Sequence, residues 1–139
     1  MGFLDKLRNK ESDSAETYTA FATWIDKHLS ENLPDDIVAI NFNLYEGSGN
    51  TYDVEIIGSD SFDEEDEDWA CGEVFSTRDD LFFVQRTNDI AEWEEGLSFI
   101  SALVEEYLRE GKYAGKLKSY TAVGIGFVDG DIDILHRST

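Results

Sequence analysis

The residues best suited to chemistry form one acidic stretch, 60-DSFDEEDEDWACGEVF-75. Seven carboxylates lie among the nine residues from Asp60 to Asp68, and the apolar sequence WAC follows directly. Such a run cannot lie in a hydrophobic core, because desolvating so many unpaired carboxylates would be prohibitively costly. It could instead bind a hard cation, take part in acid–base catalysis, or present a negative surface to a basic partner.

Calcium binding would use the carboxylates of DEEDED (63–68) and DGDID (129–133). An EF-hand alignment that starts at Asp63 fails, because Asp68 takes the position of the required glycine and Val74 that of the bidentate glutamate. The aspartates of the second segment could equally line a solvated turn. A divalent-cation-binding regulatory module stays an alternative, and no metal ligand or cofactor is assigned.

Side chains that act as nucleophiles or bases are sparse. The chain has one cysteine, Cys71, and two histidines, His28 and His136, and it matches no serine- or cysteine-protease motif. These residues are too few and too far apart for a zinc site, and the sequence GSGN lacks the lysine and the strand-to-helix context of a phosphate-binding loop. We therefore predict that the protein is not an enzyme. His28 is expected to be partly buried on a helix, and His136 to lie at the surface.

The chain as a whole is strongly acidic, with 31 acidic and 11 basic residues and a formal charge of −20. This charge disfavours nucleic acids and anionic membranes as partners, because their phosphates would be repelled. The segment from Asp53 to Asp80 holds twelve carboxylates and one cation, Arg78. A field concentrated in this way speeds the encounter with a basic protein, which is the partner we predict.

The predicted partner-binding surface centres on the acidic run and on the tryptophan that ends it. Protein interfaces commonly combine an apolar anchor with a charged surround, so Trp69 is predicted to be the anchor. In the alternative, Trp69 begins a buried strand and the acids cover a loop. The leading candidates are Asp63, Glu64, Glu65, Asp66, Glu67, Asp68 and Trp69, and the secondary ones are Asp79, Asp80, Asp129 and Asp131.

Length and hydrophobic content predict one domain. A chain of 139 residues, 41% of them hydrophobic, can bury one core without a disulfide or a structural metal. Residues 12–139 are expected to form a single α+β domain, preceded by an amphipathic lead-in over residues 1–11. No apolar run is as long as a membrane span, the first residues do not form a signal peptide, and one cysteine cannot form an internal disulfide; together these features predict a cytoplasmic protein.

Two main helices are predicted from apolar residues at helical spacing. The first spans Ser12–Ser30, with serines at its start as N-cap residues. The second begins at Asn88 or Asp89, with a capping box from Asp89 to Glu92, and ends in a left-handed turn at Gly111. Its apolar stripe comprises Ile90, Trp93, Leu97, Ile100, Val104 and Tyr107.

A two-residue period predicts strands. Residues 37–44 alternate between apolar and polar side chains, and the loop EGSGN (46–50) closes a hairpin in which Phe42 pairs with Val54. The sequences CGEVFS and LFFVQR predict two further short strands.

The last predicted hairpin lies in residues 121–135. The dipeptide Asp129-Gly130 is typical of a two-residue type I′ turn, which would pair Ile125 with Ile134. The fold class that fits all these patterns is α+β, with an antiparallel sheet of about six strands in hairpins and two main helices packed on one face.

The chain also resembles a known class of proteins. The segments NFNLYEG, FDEEDEDWAC and GFVDGDIDIL, within a small acidic α+β domain, are similar to those of the small bacterial immunity proteins that neutralise polymorphic or contact-dependent toxins. The resemblance spans residues 35–135. It implies stoichiometric, non-catalytic binding to a cognate toxin, often a basic nuclease. A housekeeping domain that is acidic only for solubility is the remaining alternative.

Overall fold

A computed structural model describes the backbone of residues 3–138 and the side chains of residues 15–138. The helices are α1 (Phe3–Leu29), α2 (Trp93–Glu110) and α3 (Ala114–Lys118). The strands are β1 (Ala39–Glu46), β2 (Thr51–Ser59), β3 (Glu73–Ser76), β4 (Phe82–Gln85), β5 (Ala122–Phe127) and β6 (Asp133–Arg137).

The six strands form one sheet in the order β3-β2-β1-β5-β6, and β4 also pairs with β2. The predicted α+β class is therefore confirmed, but the sheet is mixed, because β1 and β5 run parallel while every other pair is antiparallel. Strands β3 and β4 lie end to end along β2. Between them Thr77 keeps contact with β2, since its Oγ1 accepts a hydrogen bond from the Ile56 amide and its own amide donates to the Ile56 carbonyl.

The main core lies between the helices and one face of the sheet. Alternation along each strand sends every second side chain to this face, so the predicted two-residue period holds in β1, β2 and β5. Apolar side chains from all three helices pack against the strand side chains on this face. The largest fully buried members are Tyr52, Tyr107, Phe21, Phe42, Ile25, Leu29, Ile40, Leu44, Ile56, Ile100 and Leu117.

Helix α1 begins at Phe3, nine residues before the predicted start at Ser12. It ends at Leu29, one residue before the predicted end. The serines predicted as N-cap residues therefore lie within the helix, and their side chains fall outside the described ones. The side chains of residues 1–11 also lie outside the described ones, so the amphipathic character predicted for this segment stays a prediction.

The β1–β2 hairpin is present, but its register differs from the prediction by two residues. Phe42 pairs with Ile56 rather than with Val54. The reason lies in the turn, where the Gly47 amide donates to the Thr51 carbonyl and Asn50 takes the left-handed conformation at φ 59°. A three-residue loop that ends in a left-handed residue is a common hairpin connection.

Helix α2 is capped differently from the prediction. Its capping box joins Glu92 and Glu95, and residues Asn88–Ile90 form a separate 3₁₀ helix. Gly111 ends the helix in an extended conformation, with φ −67° and ψ 153°, so the predicted left-handed turn is wrong. A Cβ at this glycine would approach the Tyr107 ring to 2.5 Å, and close packing therefore explains the glycine.

The terminal hairpin is also shifted. The Gly130 amide donates to the Phe127 carbonyl, which places Val128 and Asp129 at the centre of the turn instead of Asp129 and Gly130. Ile125 consequently pairs with Asp133, and a register irregularity lies between residues 123 and 124. Within residues 3–138, no helix combines the length and the apolar content that a membrane crossing needs.

Candidate partner-binding surface

Residues 60–72 connect β2 to β3 and form what we name the acidic loop. The carboxylates at its centre, Asp63 to Asp68, are all exposed. Two of them shape the backbone locally: Asp63 Oδ1 accepts a hydrogen bond from the Glu65 amide at 2.9 Å, and Asp66 Oδ1 accepts one from the Asp68 amide at 3.0 Å. Asp66 thereby caps the short 3₁₀ helix Glu67–Cys71.

Trp69 packs between the acidic loop and the sheet and so holds the loop on the sheet. It is only 5% exposed, packs edge to face on Phe62 at a centroid distance of 5.3 Å, and belongs to a small cluster with Ala39 and Ala122. Its carbonyl accepts a hydrogen bond from Ser59 Oγ at 2.5 Å. The prediction that Trp69 is an apolar anchor for a partner is therefore wrong. The two alanines leave room on the sheet, and the indole fills it.

The acidic loop reaches across the sheet to the terminal hairpin. Glu67 Oε2 accepts a hydrogen bond from the Ile132 amide at 2.6 Å, and Glu64 Oε1 pairs with Arg137 Nε at 2.7 Å. These contacts bring the loop beside the turn that carries Asp129 and Asp131, which are both exposed. We name the combined surface, Asp63–Asp68 with Asp129 and Asp131, the acidic face.

Four carboxylates of the acidic face have no partner. Within residues 15–138, the side chains of Glu65, Asp68, Asp129 and Asp131 accept no hydrogen bond and form no ion pair. The other members of the surface hold the loop in place, whereas these four are available to an incoming cation.

Asp79 and Asp80 lie elsewhere, in the turn between β3 and β4, and do not join the acidic face. Asp80 Oδ2 accepts a hydrogen bond from Lys27 Nζ at 3.0 Å and contacts His28 Nε2 at 2.8 Å, and the Asp80 carbonyl accepts one from Trp24 Nε1 at 2.8 Å. The Lys27 hydrogen bond, followed by that of His28, holds the pKa of Asp80 below its ordinary value. The Asp80 carboxylate thus ties the turn to α1, and the prediction that it contacts a partner is not supported. His28 is buried, as expected.

A second tryptophan, which the sequence patterns placed in the core, lies half exposed beside the end of β5. Trp93 is 49% exposed and packs edge to face on Phe127 at a centroid distance of 6.0 Å. Phe127 accepts the hydrogen bond that closes the turn carrying Asp129, and the next residue, Val128, is 54% exposed. The sequence signal for this position was present: Trp93 is flanked by glutamates on both sides, as is typical of an exposed first helical turn.

The face of the sheet opposite the helices carries a buried polar network. Glu55 is only 4% exposed, and its carboxylate accepts hydrogen bonds from Tyr45 OH at 2.6 Å, Asn43 Nδ2 at 3.2 Å and Ser76 Oγ. Burial, together with the hydrogen bond to Glu55, raises the pKa of Tyr45 to about 12. The donors to the carboxylate are all neutral, so we assign the network to stability: it satisfies a buried carboxylate without a cation.

Among the described residues, no group of three or more His, Cys, Asp or Glu side chains is arranged to hold a metal ion. Cys71 is exposed. Comparison of the chain with protein-family models, with curated proteins and with solved structures finds no match.

Proposed function

We propose that this chain is a non-catalytic binding domain whose acidic face captures a basic protein. The observation that carries the proposal is the set of four unpaired, exposed carboxylates, Glu65, Asp68, Asp129 and Asp131, on a loop and a turn held together by the hydrogen bond from the Ile132 amide to Glu67. A surface that is ordered before binding loses less conformational entropy in the complex. Its field also steers a basic protein towards it.

The resemblance to small immunity proteins suggests the class of partner. A cognate bacterial toxin, such as a basic nuclease, carries cations that would otherwise bind phosphates, and the acidic face can occupy them. Trp93, half exposed and packed on Phe127 before the terminal turn, would supply an apolar contact in place of the buried Trp69. Tryptophan is strongly enriched among the residues that dominate binding energy. On this proposal the protein acts in the cytoplasm, where it binds the toxin stoichiometrically.

The test compares two triple variants of equal charge. In the first, Glu65→Gln, Asp68→Asn and Asp131→Asn neutralise the acidic face without touching the carboxylates that shape the loop. In the control, Glu31→Gln, Glu105→Gln and Glu110→Gln remove the same charge from exposed positions on α2 and after α1.

Each protein is immobilised and exposed to lysate of its own source at low and at high salt, and the captured proteins are quantified by mass spectrometry. We expect one stoichiometric basic protein on the wild type and on the control. With that protein purified, association to the acidic-face variant should be about tenfold slower at low salt, because steering is lost. Equal association by both triple variants, or a captured partner that is acidic, would refute the proposal. A calcium-dependent rise in melting temperature would instead favour the metal-binding alternative.

A further inference from the structure

Strand β4 is a short, uncharged edge strand of the sheet. Its sequence, FFVQ, has neither a charge nor a proline, and Phe83 is 61% exposed. Natural proteins usually guard such edges with charged side chains, prolines or bulges, because unpaired backbone groups attract another strand. None of these three devices is present between Phe82 and Gln85, and only the shortness of the strand, four residues, limits pairing.

The backbone groups that point away from the sheet can be identified. Arg86 donates its amide to the Asn50 carbonyl at 3.1 Å, so Arg86 faces β2. In an antiparallel pair the facing residues alternate, and Val84, which pairs with Tyr52, therefore faces β2 as well. The amides of Phe83 and Gln85 consequently point outwards, to the open side of the edge.

A groove of about 750 Å³ lies between α1 and this edge. Its walls include apolar side chains from α1, β4, the following 3₁₀ helix and α2, among them Ala20, Phe82, Ile90 and Phe99. The charged side chains among its described lining residues are both acidic, Glu16 and Asp89. The groove thus offers apolar contacts and a negative rim beside outward-facing amides.

We propose that β4 binds an extended, basic segment of a partner protein by strand addition. Backbone hydrogen bonds would form with the outward amides of Phe83 and Gln85 and with the Phe83 carbonyl, since the Gln85 carbonyl already accepts the Thr87 amide. Every second side chain of the segment would enter the groove, and this set would combine apolar side chains with a lysine or arginine that faces Glu16. The basic character of the segment rests on the proposed function, whereas the geometry of the edge does not. A second copy of this chain is a poorer occupant, because two molecules of charge −20 repel each other.

The probe is a short capped peptide with the repeat lysine–threonine–valine–threonine, which places lysine and valine on the same face of an extended chain, added to isotope-labelled protein. We expect slowed hydrogen exchange at the amides of Phe83 and Gln85, and no binding of the matching peptide with glutamate in place of lysine. Gln85→Pro removes one outward amide but no backbone hydrogen bond to β2, and prolines are tolerated at such edge positions. It also loses the hydrogen bond from Gln85 Nε2 to the Asn50 carbonyl, a loss that Gln85→Ala shares. It should weaken peptide binding by about two- to tenfold, the effect of one hydrogen bond. Gln85→Ala is the matched control and should bind like the wild type.

A second pair of variants tests the edge without a proline, so that the proposal stays testable if Gln85→Pro does not fold. Phe83→Lys keeps the backbone but adds a positive charge to the edge, and it should weaken binding of the basic peptide, whereas Phe83→Leu should not. Undiminished binding by both Gln85→Pro and Phe83→Lys, with the fold verified by thermal melting, would overturn the inference. So would dimerisation in light scattering that Gln85→Pro abolishes, because the edge would then serve a second copy.

The two proposals can be refuted independently of each other. If the acidic-face triple variant loses the peptide and Gln85→Pro retains it, strand addition at β4 is refuted while the acidic face stands. If Gln85→Pro loses the peptide but the acidic-face variant associates with the captured protein at the wild-type rate, the edge stands and the acidic face is refuted.

Discussion

Trp69 stabilises a loop that would otherwise have little reason to be ordered. Seven carboxylates within nine residues repel one another, and the repulsion favours an extended chain. The indole opposes this by covering Ala39 and Ala122 on the sheet and by packing on Phe62. The same side chain therefore fixes the geometry of the acidic face without belonging to it.

Replacing Trp69 with alanine should lower the free energy of unfolding by about 3 kcal/mol, because a large buried ring leaves a cavity over the two alanines. The measurement is urea unfolding followed by far-ultraviolet circular dichroism. Trp93→Ala is the control: its ring is half exposed, and the loss should be about 1 kcal/mol, the value of one edge-to-face ring pair. Equal losses for both variants would mean that Trp69 does not hold the loop.

The two tryptophans also mark a limit of prediction from sequence. DEDWAC and AEWEEG both place a tryptophan beside acids, and although glutamates on both sides favour exposure of Trp93, nothing local shows that Trp69 is buried. What separates them is tertiary: Ala39 and Ala122 belong to strands far apart in the chain, and their pairing creates the surface that Trp69 covers. The charge of the acidic run alone predicts that the run is exposed. Its contact with the terminal turn could not be predicted from the sequence.

At the scale of elements, the pattern of apolar residues predicted most strands and both long helices, whereas turn geometry decided the registers. Residues in a strand keep their face when the register moves by two, so the predicted β1–β2 hairpin had the right core despite the wrong pairs. The parallel pairing of β1 with β5 had no local signal, because it joins segments separated by β2, β3, β4, α2 and α3.

The terminal hairpin depends on a glycine that has no turn role. A Cβ at Gly126 would collide with the Asp131 carbonyl oxygen, since the chain after the turn passes directly over this position. Gly126→Ala should therefore destabilise the protein by about 2 kcal/mol through overpacking, and it should displace the turn that carries Asp129. Thermal unfolding measures the first effect.

Gly115 provides the control for that substitution. It lies within α3, and an added Cβ would meet nothing within 4 Å. Gly115→Ala should leave stability unchanged or raise it by up to about 1 kcal/mol, because alanine favours a helix more than glycine does. A harmless Gly126→Ala would show that the terminal turn has room to move.

At the scale of the whole molecule, the net charge of −20 destabilises the folded state, because the carboxylates repel one another. Raising salt from about 0.01 M to about 0.15 M shortens the screening length from roughly 30 to 8 Å, which weakens repulsion between carboxylates more than it weakens close ion pairs. We expect the melting temperature to rise by about 4 °C, equivalent to ~1 kcal/mol for a domain of this size.

Differential scanning calorimetry at several salt concentrations tests this expectation. The acidic-face variant should show a smaller rise than the wild type, because Glu65, Asp68 and Asp131 lie among the densest charges. A melting temperature that falls with salt would mean that ion pairs such as Arg137–Glu64 outweigh the repulsion.

The parallel pairing of β1 with β5 also governs how the protein is made. While it is being synthesised, the β1–β2 hairpin emerges with α1 as the only helix available to cover its apolar face, and the rest of that face stays uncovered until α2 and β5 have followed it from the ribosome. During that interval, hairpins on neighbouring nascent chains could pair with one another. The acidic loop comes directly after β2, so each unfinished hairpin carries its own cluster of negative charge, and repulsion keeps the hairpins of adjacent ribosomes apart.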